Sequence, residues 1–147
     1  MGWEGNLIED SAGVLAAMAD SRRLAILGIK PDNMPEQPAQ YVPAYLARVG
    51  YDVVPVPVYY PDVTEILGKP VIRDLKRVGP VDMIVVFRRP QDIPPHVEDI
   101  IAVAPRYVWF QLGIRNDEAA AALARAGIKV IQDRCTMVEH RRLGRSG

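Results

Sequence analysis

Two adjacent guanidinium groups, Arg88 and Arg89, follow the apolar run that ends at Phe87, and a lysine, Lys30, follows another run by way of Gly28 and Ile29. Cations beside main-chain amides are the groups that hold a phosphate or pyrophosphate, because Arg and Lys give charge-assisted donors and helix N-terminal N–H groups add more. Gln111 and Gly113 close a third apolar run and are candidates to line the same place, whereas Trp109 and Phe110 inside that run read as core. Cys135, Glu139 and His140 include the types of a nucleophile, an acid and a base. Thiolate chemistry needs a base or positive charge beside the sulfur, and a single cysteine after the last apolar run reads instead as a buried structural residue. His96, next to Pro95 at a helix start, reads as a surface residue. No catalytic residue is expected.

The elements that must position these groups are short β-branched runs at Leu24–Ile29, Val53–Val58, Met83–Phe87, Tyr107–Leu112 and Ile128–Ile131. Their starts lie about 20 to 30 residues apart, the spacing of a βαβ unit. They are near-continuously apolar rather than alternating, as expected of parallel strands covered on both faces. The pattern predicts an α/β fold, a doubly wound, mainly parallel sheet with helices on both faces, formed as a single domain. A short edge strand is expected around Val71–Ile72, giving the order 3-2-1-4-5-6. In that order the first and fourth strands leave the sheet in opposite directions, and the crevice at their carboxyl ends, between the Gly28 and Phe87 loops, is the expected ligand site.

Helices are expected from Asp10 to Ala19, with Val14, Leu15 and Met18 on the sheet, and from Tyr41 to Val49, ending at Gly50. Pro43 belongs in the first turn of the second, where a missing N–H is harmless. Val97, Ile100, Ile101 and Ala104 mark a third, which Pro105 ends. In the fourth, Asn116 is the N-cap, Ala119, Ala122, Leu123 and Ala126 form the stripe, and Gly127 takes the C′ position. Residues 144–147 read as a frayed basic tail, and 1–21 as a lead-in.

The 147 residues carry 18 Lys+Arg against 18 Asp+Glu, so no global field attracts nucleic acid or an anionic membrane, and any anion site is local. No apolar run approaches the roughly 20 residues of a membrane helix, and the acidic start does not resemble a signal peptide. One cysteine and two histidines give neither a disulfide framework nor a metal cage. A cytoplasmic protein with a small-molecule partner and no metal is expected. The loop after Gly28 lacks a GxGxxG fingerprint, Pro55-Val56-Pro57-Val58 offers no carboxylate to a ribose, and GxxxxGK[ST] is absent. A standard NAD site and a P-loop are therefore disfavoured.

Three ordered segments are more specific: Val86-Phe87-Arg88-Arg89-Pro90, the run from Val108 through Gln111 and Gly113 to Asn116, and that from Asp133 to Leu143. With Gly50-Tyr51-Asp52-Val53-Val54-Pro55-Val56 and Gly68, they make the chain from about Leu24 to Leu143 resemble the small stand-alone CoA-binding proteins. The Rossmann-type domain of that family is similar to the CoA-binding domain of succinyl-CoA and acyl-CoA synthetases. The resemblance implies a CoA-binding domain over 22–143 and coenzyme A or an acyl-CoA as ligand, without catalysis of its own. Gly28, Ile29, Lys30, Arg88 and Arg89 would meet the ADP phosphates, Pro57 the adenosine, and Phe87 and Gln111 the rest of the crevice. The sequence departs from the family where Lys30 and Ala39 replace serines and where Pro57-Val58 replaces Asn-Pro. Two other readings stay open: an NADP-type dinucleotide-binding oxidoreductase or redox sensor, and an interaction domain with a decayed pocket.

Overall fold

A computed structural model describes residues 2–146, the side chains of 145 and 146 excepted. Five parallel strands, β1 (Arg23–Leu27), β2 (Asp52–Val56), β5 (Met83–Val86), β6 (Tyr107–Phe110) and β7 (Lys129–Ile131), form a sheet in the order β2-β1-β5-β6-β7. Two short strands, β3 (Glu65–Ile66) and β4 (Lys69–Pro70), make a separate antiparallel hairpin. The doubly wound architecture is thus as the apolar runs require.

The sheet is buried from both sides because each strand sends alternate residues into different clusters. Ala25 and Leu27 of β1 pack with α3 (Val97–Val103) and α4 (Asp117–Arg125), through Ile100 and Leu123. Leu24 and Ile26 pack with α1 (Ser11–Asp20) and α2 (Pro38–Arg48), through Val14, Met18, Val42 and Leu46, and α5 (Thr136–Ser146) adds Met137 and Leu143. Trp109 and Phe110 are wholly buried, one in each cluster.

The expected edge strand at Val71–Ile72 is absent from the sheet. The Ile72 N–H donates to the Pro55 carbonyl at 2.9 Å. Along one strand residue, carbonyl and N–H face the same side, and Pro55 has no N–H to return on that outer edge. The ladder therefore stops after one bond.

The helices also depart from expectation in particular ways. α2 begins at Pro38 rather than Tyr41, which leaves Pro43 in the helix interior. The Ala39 carbonyl, which residue 43 cannot reach, accepts the Lys30 N–H at 3.1 Å instead. In α4 the Asn116 side chain accepts the Ala119 N–H as expected, but the buried face is Ala119, Ala120, Leu123 and Ala124. α3 ends at Val103, with Ala104 in the left-handed region at φ 55°, and Ile101 faces outward. α5 was not foreseen, although Thr136 and Glu139 stand at T-x-x-E spacing. Its backbone is helical through Ser146, past the expected tail start at 144. Gly147 lies outside the described residues. No helix among the described residues is long and apolar enough to cross a membrane.

Candidate functional site

β1 and β5 are neighbours, with Leu27 opposite Val86, while the chain leaves β1 toward α2 and β5 toward α3. The crevice thus opens where the connections reverse. At its base Gly28 sits at φ +89°, and a Cβ there would overlap the Phe87 carbonyl oxygen. The Gly28 N–H donates to Val56 at 2.9 Å and the Lys30 N–H to Ala39. Ile29 keeps the one main-chain N–H of the three without a partner among the described residues, and its side chain is core.

Above this base lies a cleft of about 440 Å³. Lys30, Phe87, Arg88, Arg89 and Gln111 line it together, as the sequence led one to expect. Ala39, singled out where the family carries a serine, lines it as well, while the sequence reading missed Gln37, Pro38 and Tyr41 of the α2 wall. The signal was present in Pro38, a residue suited to a first helical position. Pro57 instead lines a separate cavity of about 260 Å³ with Leu27, Val56, His96 and Asp99.

The cleft is cationic in a chain of zero formal charge: three cations line it and, among the described residues, no carboxylate does. Each cation is held differently. Lys30 Nζ donates to Gln37 Oε1 at 3.3 Å. Arg89 Nε donates to Asp92 at 2.8 Å in an exposed i,i+3 pair. The Arg88 guanidinium lies 5.4 Å from the Tyr59 ring, and its Nη1 is 3.4 Å from the Tyr59 hydroxyl. Its Nε is buried with no hydrogen-bond partner among the described residues, a state that costs free energy unless something completes it. The N-terminus of the 11-residue α2 adds a positive dipole end beside Lys30.

Gln111 is nearly buried, and its Oε1 accepts both the main-chain N–H and the hydroxyl of Thr136 at 2.9 Å. A main-chain N–H can only donate, so the amide orientation is fixed and Nε2 is the end left to the cleft. Gly113, at φ +83°, gives its N–H to Asp133 at 2.7 Å. His96, expected on the surface, is half-buried, and burial, then the nearby Arg88 charge, hold its imidazolium below the usual range. Cys135, expected in the core, is half-buried and lines the cleft. Glu139 and His140 turn to other partners, Arg142 at 3.5 Å and the Tyr45 hydroxyl at 2.7 Å.

The family described as CoA binding domain matches residues 22–141. The chain belongs to this family. The uncharacterized protein YneT of Bacillus subtilis (strain 168) is 32% identical over 121 residues, covering 82% of this chain and 86% of that protein. Among solved structures, cell-free ID.343 from Thermus thermophilus is 39% identical with a TM-score of 0.82, covering 92% of this chain and 99% of that one. A hypothetical protein from Pyrococcus horikoshii OT3 is 29% identical with a TM-score of 0.82, covering 92% of each chain. These matches place the chain in a family of small α/β domains with a CoA-related, small-molecule ligand.

Proposed function

We propose that the protein binds coenzyme A or an acyl-CoA in the crevice between the Gly28 and Phe87 loops, as a binding module without chemistry of its own. The observation that carries this reading is Arg88, which lines the cationic cleft with a buried Nε that lacks a partner among the described residues, and whose charge acts on His96 in the Pro57 cavity. A diphosphate is the kind of group that would complete it, since guanidinium and phosphate match in charge and geometry.

In this reading Lys30, Arg88, Arg89 and the Ile29 N–H hold the ADP phosphates. Lys30 offers a charge where the family carries a serine. The adenosine lies toward Pro57 and His96, and the pantetheine arm runs past Phe87 toward the Gln111 amide, a donor suited to its carbonyls. When bound, CoA supplies a thiol that carries acyl groups as thioesters. A reducing, cytoplasmic setting belongs to the same reading, supported by the lone cysteine. The dinucleotide alternative loses support at β2, whose exit through Val56, Pro57 and Val58 offers no carboxylate to a ribose.

Substitution tests the assignment. Arg88→Ala and Lys30→Ala are each expected to weaken CoA binding about tenfold or more, as loss of a charge-assisted contact does, and to flatten its dependence on salt. Unchanged affinity and salt slope in both variants would remove the phosphates from this place.

A further inference from the structure

The residues that end the cationic cleft also begin a second cavity. Leu112 and Cys135 line both, and the second, of about 530 Å³, is enclosed by residues 7–9, the segments after β6 and β7, and the start of α5. Leu112 is two-thirds exposed on the shared wall.

The lining of this cavity is mixed, and its charged groups differ in how firmly they are engaged. Asp133 accepts the Gly113 N–H at 2.7 Å. Glu139, only 4% exposed, faces Arg142 at 3.5 Å. Arg115 and Arg134 are held more loosely. Arg115 pairs with the exposed carboxylates of Asp117 at 3.1 Å and Glu9 at 3.9 Å. Arg134 gives one Nη2 contact, at 2.8 Å, to the Glu9 carbonyl. A guanidinium has five N–H donors, so both retain donors, and the exposed Arg115 ion pairs contribute only about 0–1 kcal/mol each. A ligand carboxylate can displace Glu9 at little cost. A hydrocarbon tail cannot use the cavity in that way, because covering these ionised side chains would strip them of water.

We propose that the second cavity is an acyl subsite selecting acyl-CoAs whose short acyl chain ends in a carboxylate. The thioester lies at the Leu112–Cys135 wall and the terminal carboxylate at Arg115 and Arg134. The proposal rests on the CoA reading of the first cleft.

Titration of the intact protein with CoA, butyryl-CoA and succinyl-CoA tests it, the two acyl chains having the same number of carbons. Succinyl-CoA is expected to bind at least tenfold more tightly than butyryl-CoA, and the Arg115→Gln/Arg134→Gln double variant to abolish that difference while CoA affinity stays within twofold. Glu9→Gln is expected to widen the preference. Arg134 also ties down the N-terminal segment. If the double variant melts early, Arg115→Gln alone, whose partners are exposed, is expected to reduce the preference severalfold. Equal wild-type affinities for the two thioesters, or a preference that survives loss of the arginines, overturns the acyl subsite and leaves the CoA site standing. Absence of CoA binding by the folded protein overturns both.

Discussion

Gly28 and the Phe87 carbonyl oxygen approach so closely at the exits of β1 and β5 that no Cβ fits between them. The two loops that frame the crevice thus meet in direct main-chain contact. Gly28 also has φ +89°, where a side chain is strained. Gly28→Ala is expected to destabilise the fold by about 2 kcal/mol or more through backbone strain and overlap. Calorimetry should show melting lowered by roughly 5 °C or more, at about 2 to 4 °C per kcal/mol for a chain of this size. An unchanged melting temperature would mean that the loops separate freely.

Gln111 joins the cleft to α5 through one amide. Gln111→Leu leaves the Thr136 N–H and hydroxyl without their acceptor and is expected to cost about 1–3 kcal/mol of stability. Gln111→Glu keeps the acceptor for Thr136, replaces the donor that faces the cleft with a carboxylate oxygen, and adds a negative charge there. It is expected to retain the fold by circular dichroism while weakening CoA binding severalfold. Loss of fold in Gln111→Glu, or full CoA affinity, would contradict this division of roles.

The depressed imidazolium of His96 gives stability a definite pH dependence. The unfolded chain takes up a proton near pH 6.5 that the folded protein resists, so this contribution is constant above that pH. It is lost as pH falls toward and through the lower folded value. Urea unfolding at pH 7.5 and 5.5 is expected to show a loss in the wild type that is smaller in His96→Gln. Equal losses in the two proteins would assign the acid sensitivity elsewhere.

Asp82 behaves similarly at lower pH. The main-chain N–H groups of Arg23 and Arg22, at 3.0 and 2.9 Å, hold its carboxyl below the usual value near 3.8. Its stabilisation is present above that value and disappears as pH falls through the lower folded one. Asp82→Asn is expected to be less stable at pH 7 and to lose less on acidification below pH 4, as followed by acid titration of the fluorescence of Trp3 and Trp109.

The parallel sheet was legible because its strands are buried on both faces and so are written as near-continuous apolar runs. What escaped depends on single groups acting at a distance. Pro55 ends the edge ladder by lacking one N–H, and Pro43 is tolerated inside α2 because Lys30, thirteen residues earlier, takes up the carbonyl it leaves free. Neither relation is periodic. In the site, the strand exits at Arg88, Arg89, Lys30 and Gln111 followed from topology, since switch points are set by strand order. The α2 wall, Tyr59 against Arg88, and the half-burial of His96 arise from loop paths that local spacing does not encode.

Isothermal titration of the purified protein with CoA, beside NAD and NADPH under the same conditions, tests the central claim most directly. Saturable CoA binding at one site per chain, weakening as salt rises, with no binding of either dinucleotide, is the predicted result. No CoA binding at millimolar concentration, or NADPH binding of equal strength, would contradict it.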